Sequence, residues 1–86
     1  MIYGMDTESV ARLSSRMATV AARVRELEAR LTAQLAVTSW VGHDRDRFEG
    51  DWQSAHVRAL RSAADALDDA ARVAAENVSD QDRASA

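Results

Sequence analysis

The sequence contains no cysteine, no proline and no lysine, and it has only three glycines and four aromatic residues in 86 positions. Without cysteine there is neither a disulfide framework nor a thiolate metal site to reinforce a thin core, so stability has to come from packing. Without proline, and with abundant alanine, the usual punctuation of strands and turns is missing and long uninterrupted helices are favoured, so the fold class expected is all-α. No apolar run reaches the roughly 18 residues that a membrane span needs, and no stable membrane insertion is expected. The start, M-I-Y-G-M-D-T-E, has no basic segment followed by an apolar one, so no cleaved secretory signal is visible. A length of 86 residues leaves room for a single small domain.

All eleven basic residues are arginine, and fourteen acids bring the net charge to -3. A nucleic-acid protein normally shows a basic stripe and a high pI, so that class is disfavoured. Residues 65 to 82 hold six acids against Arg72 alone.

From Val10 the large apolar residues fall at Val10, Leu13, Met17, Val20, Val24, Leu27 and Leu31, the alternating spacing of three and four that marks a heptad seam. This predicts a first helix over about residues 6–37, with Asp6 or Thr7 as N-cap and Glu8 in the favourable first turn. A turn over 38–43 follows. Asp44 is placed to cap a second helix over about 44–78, with Asp46 near its positive end. At 100° per residue, Phe48, Trp52, Ala59, Ala63, Ala66, Leu67, Ala70 and Ala74 share one stripe, and His56 and Leu60 are counted with the same seam. The opposite arc carries Arg58, Arg61, Asp65, Asp68, Asp69, Arg72 and Glu76. Gly50 interrupts a helical pattern with no evident reason, and residues 79–86 have the small polar composition of a flexible tail.

A turn of a few residues between two helices of about 30 residues, each about 45 Å long, forces an antiparallel hairpin. A hairpin alone leaves Phe48 and Trp52 wet. With no disulfide or metal to staple it, dimerisation into a four-helix bundle is the expected solution.

Chemistry is sparse. His43 and His56 have no second ligand at helical spacing, and Asp44, Asp46, Glu49 and Asp51 alternate with arginines and lack a calcium loop. No phosphate-binding glycine loop and no nucleophile, base and acid constellation is present. Neither an enzyme nor a cofactor or metal protein is expected.

The tripeptide Trp40-Val41-Gly42 lies near the middle of the chain between the two helical patterns, within the run W-V-G-H-D-R-D-R-F-E-G-D-W. That run resembles the W-x-G-x-D-x-x-x-F-x-x-x-W pattern of the WXG family of small type VII secretion proteins, in its actinobacterial branch. The resemblance spans about Asp6 to Val78. It implies a non-enzymatic helical hairpin that pairs antiparallel with itself or a related WXG-type chain. It also implies folded export from the cytoplasm, without a cleaved signal, by a membrane ATPase complex. Family members serve as secreted effectors or as partners of other exported proteins, including toxins. Trp40 and Gly42 match the turn half of the family's composite export signal. The other half, a Tyr-x-x-x-Asp/Glu element after the second helix, is not matched: Val78 stands where tyrosine would be, and Tyr3, the only tyrosine, lies at the other end. The alternative reading is an intracellular coiled-coil scaffold or regulator whose W-x-G only builds a turn.

Overall fold

The computed structural model describes residues 6–40 and 44–85. Among them every regular element is helical: α1 (Thr7–Val37), α2 (Asp44–Asp51), a π-helical segment (Trp52–His56) and α3 (Val57–Ser85). Asp51 and Val57, at the two joints, both keep right-handed helical dihedrals, so α2, the π-helical segment and α3 run on as one rod.

Helix α1 starts where the sequence predicts. Asp6 is extended at φ -74° and ψ 93°, and its Oδ1 accepts the backbone N–H of Ser9 at 3.1 Å while Oδ2 accepts the Ser9 hydroxyl at 2.8 Å. One of the helix's unpaired N–H groups is thereby satisfied, and the same bond holds the Asp6 carboxyl below its ordinary value. At the other end Thr38 donates to the carbonyl of Gln34 at 2.6 Å and Arg45 to that of Ala36 at 2.7 Å. Two of the carbonyls that a helix leaves unpaired thus find partners, one of them cationic at the negative end of the dipole. Asp44 lies inside the first turn of α2 together with Asp46, rather than preceding the helix as its cap.

Helices α1 and α3 pack antiparallel. Ser14 donates to the carbonyl of Ala71, Arg25 reaches Asp65 and Asp68, Glu28 pairs with Arg61, and Trp52 bonds Thr32, so rising numbers on one side meet falling numbers on the other. The closest approach is made by alanine: Ala21 and Ala64 are both fully buried, with Val57 and Ala71 nearly so. Among the described residues no large side chain is fully buried, and the backbone forms a rod of 65 × 17 × 16 Å. Its radius of gyration is 19.2 Å, against about 12 Å for a globule of this length.

Two expectations are corrected. The seam of the second helix is Val57, Leu60, Ala64, Leu67, Ala71 and Ala74, while Ala59, Ala63, Ala66 and Ala70 are exposed. The physical reason is the π-helical segment: a wider turn retards the 100° advance, so the side of the rod that faces α1 at Trp52 passes to Val57 and Leu60 rather than to Ala59 and Ala63. The chain is also helical through Ser85 where a flexible tail was expected over 79–86. Val78 and Gln81 continue the half-buried row and Arg83 pairs with Asp80 at 2.6 Å, which extends the helix past the last large apolar residue.

Candidate functional site

At the end of the hairpin where α1 and α2 are joined, Trp40 stacks on Phe48 with ring centroids 5.6 Å apart and planes 28° from parallel. The indole Nε1 of Trp40 is buried and has no hydrogen-bond partner among the described residues. Gly42, with Val41 and His43, lies outside the described residues, as does Tyr3. Phe48 keeps almost half of its surface exposed, and His56 is exposed with its ring 5.9 Å from that of Trp52.

One turn further along, polar groups fill the seam. The indole N–H of Trp52 donates to Thr32 Oγ1 at 2.9 Å, and that hydroxyl donates to Glu28 Oε2 at 2.8 Å. Glu28 Oε1 accepts Arg61 Nε, also at 2.8 Å. Glu28 is only 4 % exposed, yet both its oxygens are engaged, and the Arg61 guanidinium followed by the Thr32 hydroxyl hold its carboxyl below the ordinary 4.5. Beside it Arg25 bonds Asp65 at 2.7 Å and Asp68 at 2.6 Å, which raises the arginine's already high pKa. These pairs share one face of the hairpin, since Arg25, Arg61, Asp65 and Asp68 all lie to the same side of the α1/α3 seam.

The opposite face is apolar. The heptad row read from the sequence divides in two: Val10, Met17 and Val24 turn into the hairpin, whereas Leu13, Val20, Leu27 and Leu31 remain 45–53 % exposed. The inner row is completed by Ser14, Ala21, Glu28, Thr32 and Leu35. Counting at 100° per residue places the outer row on the side of α1 away from Arg25, level with the exposed Ala59, Ala63, Ala66, Ala70 and Val73 of α3. The result is a continuous face with leucine and valine on one helix and mostly alanine on the other.

The polar seam members escaped the sequence reading. Val10, Met17 and Val24 belong equally to two heptad registers, and the one through Leu13, Val20 and Leu27 carries larger side chains. The register through Ser14, Ala21 and Glu28 was visible as a four-three spacing but holds a serine and a carboxylate, which no apolar count selects. Nothing in the sequence marked Arg45 as the partner of the α1 terminus.

Among the described residues no group of three or more His, Asp or Glu side chains is placed to hold a metal ion, and no helix is long and apolar enough to cross a membrane. What the arrangement offers is an apolar face, an aromatic pair at the joined end, and a charged face with internal ion pairs. Comparison with family models, curated proteins and solved structures finds no match to this chain.

Proposed function

We propose that the chain is a non-enzymatic docking subunit associated with a type VII secretion system, a WXG-type hairpin that pairs through its apolar face with itself or a related hairpin or toxin amino-terminal domain and is delivered with it to the export ATPase. The observation that carries the docking half is the exposed row Leu13, Val20, Leu27 and Leu31 on a hairpin in which no large side chain among the described residues is fully buried. Fully burying such a side chain is worth about 1.5–3 kcal/mol, so covering the exposed half of four of them contributes about 4 kcal/mol before the costs of association. The row runs along the helix at the spacing that receives another helix.

The secretion half is supported by the W-V-G-H-D-R-D-R-F run, its position between two helices, and the Trp40–Phe48 stack that joins two of its members. Residues 78–82, with valine at position 78, do not carry the tyrosine half of the export signal. The test is fractionation of the native host. The reading expects the protein in the culture supernatant only when the export ATPase is intact, copurifying with one hairpin partner. Retention in cells that have an active export machine would refute it in favour of an intracellular scaffold. Trp40→Ala adds a second arm: a variant that keeps its helicity and melting point but is no longer exported assigns the ring a docking role.

A further inference from the structure

The apolar face has an asymmetric border. On the outer side of Leu13, Val20, Leu27 and Leu31, the helical advance places Arg16, Arg23 and Arg30, each seven residues from the next, with Arg12 one turn before. Arg30 has Glu26 at 3.7 Å and Arg12 has Glu8 at 3.3 Å, both through exposed pairs on the same helix. Arg16 and Arg23 have no carboxylate within 4.0 Å among the described residues, and they flank Val20 in a shallow groove with Ser15 and Thr19. A chain of net charge -3 thus carries a row of positive charge along the edge of this uncovered apolar face.

We propose that the occupant of this face is an amphipathic helix of a different chain that carries carboxylates along its edge, opposite Arg16 and Arg23. The inference rests on the docking reading above and names the partner's chemistry. A second copy of this chain does not meet the requirement. Packed α1 against α1 in antiparallel fashion, it sets Arg16 towards Arg30 and Arg23 towards its own equivalent. Packed α1 against α3, it offers Ser62, Ala66, Val73 and Asn77 along the matching border. Five of the six acids of α3 are committed elsewhere, Asp65 and Asp68 to Arg25, Asp69 and Glu76 to Arg72, and Asp80 to Arg83, and the sixth, Asp82, lies four residues past Val78 and so on the hairpin's own seam side rather than along this border. Like charges placed side by side oppose association, and opposite charges at an interface edge select the partner.

Two designed 28-residue helical peptides test this on the full chain. Both carry leucine at heptad positions a and d; one has glutamate at e and g, the other lysine. The glutamate peptide is expected to bind at least about tenfold tighter at low salt, with the difference shrinking as salt rises. The double variant Arg16→Glu, Arg23→Glu, altered only at exposed positions and checked for helicity, is expected to reverse the preference. Equal binding of the two peptides, binding of neither, or a preference that survives the reversal overturns the proposal. So does a self-associated dimer, unaffected by the reversal, that excludes both peptides. Val20→Asp with Leu27→Asp separates this inference from the reading beneath it. If that variant still binds either peptide undiminished, the apolar face is not the docking surface at all. If it loses binding while the charge swap has no effect, only the acidic partner is wrong.

Discussion

Glu28 places a carboxylate in a seam otherwise made of small and apolar groups, and its two oxygens are each engaged, one by Arg61 and one by Thr32. Its pKa is lower folded than unfolded, so it stabilises the folded state fully above the ordinary 4.5, and that contribution fades as pH falls through the lowered value. Thermal melts between neutral pH and pH 3 are expected to show a loss of stability that begins below about 4.5 and is smaller in Glu28→Gln. The next link is neutral: Trp52→Phe removes the indole N–H bond to Thr32 while keeping an aromatic body, and is expected to cost about 0.5–1.5 kcal/mol in denaturant unfolding. Gly50 acts in the other direction. A Cβ built there meets nothing within 4 Å, so Gly50→Ala is expected to raise stability by about 0.4–1 kcal/mol, read as a higher Tm. Sterics therefore do not require this glycine.

Among the elements, the π-helical segment Trp52–His56 decides which side chains meet. It turns Trp52 onto Thr32 of α1 and then hands the rod on to α3 in a phase that buries Val57 and Ala64. Deleting Ser54 is expected to restore regular α-helical winding. The deletion puts Trp52 and Val57 four positions apart, the α-helical spacing for one face, so Trp52 keeps Thr32 and both helicity by circular dichroism and tryptophan emission stay nearly unchanged. This is also where a uniform helical count misplaced the buried face of the second helix. The start of α1 at its Asp6 cap and its end at Val37 followed from a cap and periodicity, which are local signals, whereas Asp44, read as the cap of the second helix, lies within its first turn. A π turn has no residue signature of its own, so a uniform 100° advance assigned Ala59, Ala63, Ala66 and Ala70 to a buried stripe that the structure leaves exposed. In α1 the residues were found but their partner was not, because Val10, Met17 and Val24 fit two neighbouring seams. Choosing between them depends on the facing helix rather than on α1 itself.

At the scale of the whole molecule, a backbone 65 Å long with alanine at its closest packing is a marginal fold by itself. A ligand that binds only the folded chain, held at 100 times its Kd, adds about 2.7 kcal/mol. The glutamate-edged peptide at that concentration is therefore expected to raise the Tm by several degrees, while the lysine-edged peptide at the same concentration leaves it nearly unchanged. Titration by differential scanning fluorimetry checks this directly. The cross-section has a separate consequence. A globule with a radius of gyration of about 12 Å is about 30 Å across in every direction. The hairpin backbone, by contrast, measures 17 by 16 Å when viewed end-on. A channel that admits a single pair of helices lengthwise would therefore pass this chain without unfolding it, provided the row of leucines along its flank is sheathed or the channel wall can accept it.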